Sequence, residues 1–301
     1  MESQPMPSAI SPALPRPIIG VALMLVAMVN MPFIDVFAKL LGQEGVPVLQ
    51  IVWARMVFGS LLILPFALRQ ASPAQLIPRQ PLYLLLRALL MIGATFSFFW
   101  ALKFLPIADA LAIFFVQPLI ITLLSPLILG EKVGPRRLAA VFVGFIGTLI
   151  IIRPGFVEVN PGSFLALAAG TLLALYFLLT RRISGTIPAS VTTLQTTVIG
   201  AVVASSLMPF IWQMPNFGQW VMFIALGAVA TFGHFLIVRA YDYAEASLLA
   251  PLAYTEMVMA TFLGWLIFDQ LPDRWTLFGV SILIACALYI SMRERAVARR
   301  A

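Results

Sequence analysis

The sequence predicts an all-α integral membrane protein of ten transmembrane helices, arranged as two inverted five-helix repeats with both termini cytoplasmic. Three observations predict this fold class. The 301 residues are 61% hydrophobic and only 10% charged, and long apolar stretches recur along them. The second half of the chain repeats the first, and basic residues are concentrated in alternate loops. Together they indicate a single membrane domain, because no long window is polar enough for a soluble one.

The predicted helices are separated by clusters of Gly, Pro and charged residues, such as Gly42–Gly45 and Leu271–Asp273. Each apolar stretch can cross a bilayer core of roughly 30 Å, and backbone groups in hydrocarbon must be satisfied within the segment, so each span is expected to be a helix. Pro118 and Pro126 interrupt the fourth span. The predicted spans are residues 18–41, 47–68, 82–102, 107–129, 136–152, 163–180, 189–211, 219–240, 244–268 and 274–292.

The two ends of the chain are predicted to be short tails. Residues 1–17 contain five prolines and are predicted to be a disordered cytoplasmic tail. They lack the apolar core and cleavage site of a signal peptide, so the first helix is expected to be retained. Residues 293–301 form a basic cytoplasmic tail. Cys286 is the single cysteine, which excludes an intramolecular disulfide.

The orientation follows from the positions of Lys and Arg, since cytoplasmic loops carry an excess of both. With the N-terminus inside, 14 basic residues fall on the cytoplasmic side and 3 on the outer side. The outer residues are Lys103, Arg153 and Arg274. The inner residues are Arg16, Arg69, Arg79, Arg87, Lys132, Arg136, Arg137, Arg181, Arg182, Arg239, Arg293, Arg295, Arg299 and Arg300.

The repeat is seen when residues 101–151 are aligned with residues 240–290, a constant shift of 139 residues. Loops match as well as helices, which indicates duplication, although a leucine-rich chain also gives matches by chance. The first repeat is predicted to span residues 18–154 and the second residues 155–292. Because each repeat has an odd number of spans, the second must be inverted. Accordingly, the basic loop residues Lys132, Arg136 and Arg137 align with Leu271, Trp275 and Thr276, none of which is basic.

Three segments of the chain resemble the drug/metabolite transporter superfamily, specifically its family of two EamA-type repeats. They are Gln117-Pro118, Leu129-Gly130-Glu131, and the glycine-containing helix from Val143 that leads to Arg153-Pro154-Gly155. The second repeat departs from the pattern, with Asp269-Gln270 where Gly-Glu is usual. The resemblance covers nearly all of the chain after residue 17. It implies a secondary transporter that works by alternating access, and its relatives move riboflavin, S-adenosylmethionine, amino acids or other metabolites.

Asp35 and Lys39 are the first pair of candidate functional residues, because ionisable groups within a membrane are expensive to keep there. They are four residues apart on a helix and so share a face. Pro32 precedes them by one turn and is expected to loosen the helix. Two interpretations are open: a coupling or gating site near the outer mouth, or a local ion pair in which Lys39 extends to the membrane surface.

A central substrate site is predicted around Arg55, which lies deep in the second span beside Gln50 and Trp53. Glu256 in the ninth span carries the opposite charge, and at the repeat shift it aligns with Gln117. Repeat transporters hold substrate between their halves near the middle of the membrane. The alternative interpretation is that Arg55 and Glu256 form a buried structural pair.

His234, Gln195 and Tyr254 complete the candidates. His234 is the single histidine and could serve proton coupling or simply donate to a backbone carbonyl. Gln195 lies in a hydroxyl-rich seventh span, whose small residues otherwise suit helix packing. Tyr254 could stack on a planar substrate, as could Tyr176 and the other aromatic residues, although packing explains most of them. One histidine and one cysteine do not make a metal centre, and no cofactor is expected.

The leading hypothesis is a secondary active transporter of the cytoplasmic membrane for a small polar or aromatic metabolite, surrounded by lipid. No phosphate-binding motif is present, so a proton or a counter-solute gradient would drive transport. Nucleic acid is not expected as a partner, because the net charge of +7 lies at the membrane surface. The alternative is an integral membrane lipid-modifying enzyme, which would need a cluster of His, Asp or Glu at one interface.

Overall fold

The computed structural model describes residues 17–71, 80–130, 133–154, 160–182, 188–243 and 249–298. Every regular element in these ranges is a helix. The predicted N-terminal tail lies outside the described residues apart from Pro17, and residues 299–301 of the predicted C-terminal tail also lie outside them. The last described helix ends at Ala298, beyond the predicted end of the tenth span at residue 292.

The described helices follow the predicted apolar stretches. They are α1 (Pro17–Asn30), α2 (Pro32–Gln43), α3 (Val48–Gln70), α4 (Pro81–Ala101), α5 (Ile107–Phe114), α6 (Gln117–Leu129), α7 (Pro135–Ile152), α8 (Pro161–Arg182), α9 (Ala189–Ile211), α10 (Phe217–Tyr243), a 3₁₀ helix (Ala250–Tyr254), α11 (Thr255–Phe268) and α12 (Arg274–Ala298).

Seven helical stretches in the described residues are long and apolar enough to cross a membrane. Two of them combine shorter helices, because α1 and α2 form Pro17–Gln43 and α5 and α6 form Ile107–Leu129. Three further apolar helices, Leu138–Ile152, Leu252–Phe268 and Arg274–Cys286, are shorter.

Prolines mark the breaks within the composite stretches. Pro32 is the first residue of α2, directly after the break at Met31, and Pro118 is the second residue of α6. Proline is tolerated in the first turn of a helix because that turn has no intrahelical acceptor for its N–H. The 3₁₀ helix likewise carries Pro251 near its start.

The breaks and ends of helices occur at equivalent positions in the two repeats. Gly130 ends α6 with φ 71°, and Asp269, at the repeat shift of 139 residues, ends α11 with φ 53°. Phe115 and Tyr254 are also equivalent. Their rings pack against each other with centroids 5.6 Å apart, where α5 meets α6 and the 3₁₀ helix meets α11. The alignment read from the sequence therefore corresponds to matching local geometry.

Most of the packing in the described residues joins one half to the other. α3 packs on α9 and α7 packs on α12, and each of these is a pair of repeat counterparts, while α5 of the first repeat packs on α11 of the second. α4 packs on α8, just as its counterpart α10 packs on α1 and α2. The contacts are thus preserved when the halves are exchanged, as expected for an approximate two-fold relation.

α7 and α12 cross at a close contact between two glycines, Gly147 and Gly279. A Cβ on Gly279 would lie 2.6 Å from the carbonyl oxygen of Gly147, too close for any larger residue without movement of the backbone. Gly147 is one of the residues of the motif on which the family resemblance rests, and its role in this structure is to allow this crossing.

Candidate functional site

A cavity of about 240 Å³, referred to below as the first cavity, lies among α3, α4, α8, α9 and α10. It therefore takes walls from both repeats. Its lining includes Arg55, near the N-terminal end of α3, and Gln70, the last residue of that helix. These two residues are 15 positions apart, so the cavity follows α3 for roughly 22 Å.

The first cavity opens at the end formed by the C-termini of α3 and α10. The lining residues at that end, Phe66, Gln70 and Arg239, are exposed, whereas Arg55 at the other end is half-buried. Arg69, also at the C-terminus of α3, is a basic residue of this end that the charge pattern assigns to the cytoplasmic side.

Arg55 forms the inner end of the first cavity. Its Nη1 donates to Thr95 Oγ1 of α4 at 3.0 Å, and its guanidinium lies 5.8 Å from the ring centroid of Phe99. Asp35 interacts with it electrostatically, yet Arg55 forms no salt bridge within the described residues. The structural Arg55–Glu256 pair, which was the alternative interpretation, is therefore absent among the described residues, and Arg55 keeps a face towards the cavity.

His234 also lines the first cavity, and it makes the backbone hydrogen bond that was one of its two interpretations. Its Nδ1 lies 2.9 Å from the carbonyl oxygen of Ala230, one helical turn earlier. A carbonyl oxygen only accepts, so Nδ1 carries the proton, and Nε2 of the neutral ring is left as an acceptor. Both interpretations of His234 are thus compatible with its position.

Hydroxyl groups of α9 line a further wall. Thr193, Thr196 and Thr197 face the first cavity, and the last two return hydrogen bonds to carbonyl groups of their own helix. Gln195, the candidate from this helix, is buried and is not among the lining residues. Sequence reasoning assigned most of these threonines to helix packing, because spacing alone does not show which face meets a cavity.

The burial of Arg87 was not predicted from the sequence. The charge count placed it on the cytoplasmic side, at the start of the predicted third span, but it lies inside α4 and is 0% exposed. Its Nε donates to Thr180 Oγ1 at 3.1 Å, and its Nη2 lies 3.4 Å from the hydroxyl of Tyr176, a lining residue. Its burial was not predicted because Arg87 is close to the start of the span, where local sequence does not show packing against α8.

The end of the molecule opposite the opening is closed by hydrogen bonds between the two repeats. Lys39, which is 6% exposed, donates through Nζ to the carbonyl oxygen of Leu105 at 2.7 Å and to Gln270 Oε1 at 2.9 Å. It does not form the local ion pair with Asp35 that its spacing allowed. Instead its ammonium ties α2 to the segment that follows α11.

Gln50 and Trp53 belong to the same closed end. Gln50 is 0% exposed and exchanges two hydrogen bonds with the backbone of Gln213, at 2.8 and 3.1 Å. The indole N–H of Trp53 donates to Ser205 Oγ at 2.9 Å, and its ring meets Trp212 edge-on at 5.1 Å. Both residues therefore bind the start of α3 to the second repeat.

A second cavity of about 360 Å³ lies at this closed end, with Lys39, Lys103 and Gln270 in its lining. Phe99 also lines it, and the ring of Phe99 faces the guanidinium of Arg55 in the first cavity. The contact between Arg55 and Phe99 thus lies between the two cavities.

Gln117, Glu256 and Tyr254 stand apart from the first cavity. Gln117 begins α6 and Glu256 lies in the first turn of α11, so both are at the helix breaks of their repeats. All three side chains are half-buried, and Tyr254 packs on Phe115. Asp35 links this region to Arg55, since it interacts electrostatically with both Arg55 and Glu256.

Arg153 and Asp273 form a salt bridge outside the apolar helices, at the closed end. Asp273 Oδ1 also accepts the backbone N–H of Thr276 at 2.8 Å, which caps the start of α12. Burial raises the pKa of the Asp273 carboxyl, but the hydrogen bonds from Thr276 and the charge of Arg153 outweigh it, so this pKa lies below its usual value.

The described residues contain no group of three His, Cys, Asp or Glu side chains able to hold a metal ion. What they do form is a cavity with a mixed polar and apolar lining within a bundle of apolar helices, open at one end and lined by both repeats. These features define an integral membrane protein built to admit a small molecule.

The chain belongs to the EamA-like transporter family, whose model matches residues 18–153 and again residues 160–292. It is similar to the S-adenosylmethionine uptake transporter of Rickettsia prowazekii, with 25% identity over 92% of this chain and 93% of that one. It is also similar to the riboflavin transporter of Vibrio cholerae, with 28% identity over 95% and 97% of the two chains. The pseudopaline exporter of Pseudomonas aeruginosa is 27% identical over 89% and 94%.

A solved crystal structure superimposes on this chain with a TM-score of 0.64, covering 93% of this chain and 97% of its own. At 20% identity this likeness concerns the fold alone. The family and the relatives establish that the protein is a small-metabolite transporter and not an enzyme. It is a multi-pass protein of the cytoplasmic membrane.

Proposed function

We propose that this protein is a secondary active transporter that moves a small polar or aromatic metabolite by alternating access. The observation that carries the proposal is the contrast between the two ends of the helix bundle. The first cavity opens at one end, while Lys39, Gln50 and Trp53 close the other with hydrogen bonds between the repeats. A carrier in its inward-open state requires this arrangement.

The proposed topology has ten transmembrane helices, two inverted repeats and both termini in the cytoplasm. In it, the composite and shorter apolar helices of the structure complete the ten spans. Preservation of the helix contacts when the repeats are exchanged supports it, as does the excess of Arg and Lys at the open end. In this orientation the first cavity faces the cytoplasm and the second cavity faces outward.

In the proposed cycle the cargo binds beside Arg55, which lies between the two cavities. The closed end then separates while the open end closes, so that the cargo meets the other side of the membrane. Asp35, Lys39 and His234 are proposed as coupling or gating residues, and Gln117 and Glu256 as polar groups exposed when the helix breaks move. A proton or a counter-solute gradient would supply the driving force.

The named relatives guide the choice of cargo. They include transporters of S-adenosylmethionine and of riboflavin and an exporter of pseudopaline. A vitamin such as riboflavin, S-adenosylmethionine, an amino acid or a similar metabolite is proposed for this chain. Uptake and export are both represented among these names, so the proposal assigns no direction.

Site-directed labelling tests the inward-open state. Cys286 is the only cysteine, so a Cys286→Ser, Thr231→Cys variant carries one thiol on the wall of the first cavity. A membrane-impermeant maleimide should label it in inside-out vesicles and much more slowly in right-side-out cells. Faster labelling from outside would contradict the proposed orientation or state.

Transport itself is tested in proteoliposomes with radiolabelled riboflavin, S-adenosylmethionine and amino acids. We expect Arg55→Gln and Glu256→Gln each to abolish flux while the purified variants keep the elution profile of the folded protein. Undiminished flux in a protein that carries both substitutions would refute the roles proposed for these two residues.

A further inference from the structure

The inner end of the first cavity carries the positive charge of Arg55. No Asp or Glu is among the lining residues of this cavity in the described part of the chain. The nearest carboxylate in electrostatic terms is Asp35, which balances part of the charge of Arg55 from outside the lining. The surface that a bound molecule would touch therefore favours negative charge.

A buried guanidinium packs on one lining tyrosine. Arg87 Nη2 lies 3.4 Å from the Tyr176 hydroxyl, and the Arg87 guanidinium lies 5.1 Å from the centre of the ring. Neither Arg87 nor Arg55 forms a salt bridge within the described residues, and Arg87 Nη1 is buried there without a hydrogen-bond partner. A buried cation with no counterion leaves a positive potential at its neighbours.

The hydrogen bond from Arg87 also determines the role of the Tyr176 hydroxyl, which acts as the acceptor in this bond. A guanidinium has donors only, so Tyr176 Oη must accept from Arg87 Nη2. The tyrosine O–H then remains available to donate to something else. Because Tyr176 lines the first cavity, that donor and the guanidinium of Arg55 form part of the same wall.

The rest of the wall is apolar or carries hydroxyl groups. Met56, Ile63, Met91 and Phe235 supply the apolar surface beyond Arg55. Methionine and aromatic side chains adapt to flat or irregular apolar ligands. The volume of about 240 Å³ lies just below the range of about 300–1,000 Å³ that is usual for small-molecule sites, and the cavity is open at one end.

We propose, on the basis of the carrier function above, that the cargo bears an anionic oxygen group, a carboxylate or a phosphate, which Arg55 and the Tyr176 hydroxyl bind. Arg87 is a positioning residue that acts through Tyr176. The apolar part of the cargo packs on the methionine side of the cavity. A guanidinium matches the two oxygens of either group with parallel hydrogen bonds.

The test is ligand binding to the detergent-purified full-length protein, measured by thermal stabilisation and by calorimetry. The probes are matched pairs that differ in one anionic group: nicotinate and nicotinamide, biotin and biotin amide, tryptophan and tryptophanamide, and riboflavin 5′-phosphate and riboflavin. We expect the acidic member of at least one pair to bind about tenfold or more tightly than its neutral or amide partner. Preference for the acid within a carboxylate pair would identify a carboxylate cargo, and preference for the acid within the phosphate pair would identify a phosphate cargo.

Variants connect this preference to the wall. Arg55→Gln should reduce the acid preference to less than about threefold, Arg55→Lys should keep part of it, and Tyr176→Phe should lower it several-fold. Arg69→Gln is the matched control, because Arg69 is an exposed arginine of the same helix outside the cavity lining, and it should leave the preference unchanged.

Equal or tighter binding of the neutral or amide members would overturn the inference, and so would the failure of every acidic probe to bind the wild-type protein. Failure of the anionic-cargo inference can be distinguished from failure of the proposed carrier function. Selective acid binding without flux in proteoliposomes would refute the carrier proposal alone. Flux of neutral or cationic compounds without acid preference would refute the anionic cargo alone.

Discussion

The hydrogen bond between Lys39 and Gln270 gives a sharp prediction about the balance between the two proposed states. It joins α2 to the segment after α11 at 2.9 Å, and Lys39 is almost completely buried. Gln270→Ala removes this bond and leaves the ammonium with the carbonyl of Leu105. A hydrogen bond to a charged group contributes about 1.5–3 kcal/mol, so the closed end should lose that much stability relative to the open one.

That loss corresponds to a shift of roughly 10- to 150-fold in the equilibrium between the two states. The assay is the Thr231→Cys reporter in the Cys286→Ser background, labelled from the outside of right-side-out cells. Gln270→Ala should raise the labelling rate by at least about tenfold, provided that the outward state is otherwise rare.

Gln219→Ala is the matched control. Gln219 Nε2 donates to Glu44 Oε2 at 3.0 Å, also between the repeats and at the same end, but this bond is exposed to solvent. Exposed pairs contribute about 0–1 kcal/mol, so labelling should change little. If Gln270→Ala labelled no faster from outside than the control, the closed end would not be a gate held by Lys39.

Two further predictions concern stability. Gly279→Ala should lower the stability of the purified protein by about 1–3 kcal/mol, because the added Cβ would meet the carbonyl oxygen of Gly147. The control is Gly134→Ala, which has open space around the added Cβ and should be neutral in the same thermal assay. Asp273→Ala should cost about 0.5–2 kcal/mol at pH 7 through loss of the cap on Thr276. Since the pKa of Asp273 is lowered from 3.8, this stabilisation requires the carboxylate and should disappear as the pH falls below that value through the folded-state pKa. A difference between wild type and Asp273→Ala that persisted undiminished in acid would contradict this assignment.

The two cavities also indicate the route that cargo would follow in the proposed cycle. Arg55, which lines the first cavity, contacts Phe99, which lines the second. In the proposed cycle, the hydrogen bonds at the closed end determine which cavity is continuous with water. Exchange of the roles of the two repeats would produce the opposite state with the same kinds of helix contact.

The sequence by itself determined the features that depend on short stretches of chain. Apolar length, proline and glycine predicted where helices begin, break and end, because hydrocarbon forces each stretch to satisfy its own backbone. The repeat was visible because duplicated helices keep their breaks at the same positions, as Gly130 and Asp269 show. Arg55 and His234 were singled out because charged or titratable groups are rare within apolar spans.

Only the tertiary structure decided which polar residues meet. Lys39 is tied to Gln270, 231 positions away, and Gln50 to Gln213, 163 positions away, rather than to polar neighbours on their own helices. Arg87 is buried against α8, and Gln117 and Glu256 do not line the first cavity beside Arg55. Sequence spacing gives the face of a helix on which a side chain lies, but not what packs against that face, because the packing is fixed by helices far apart in the chain.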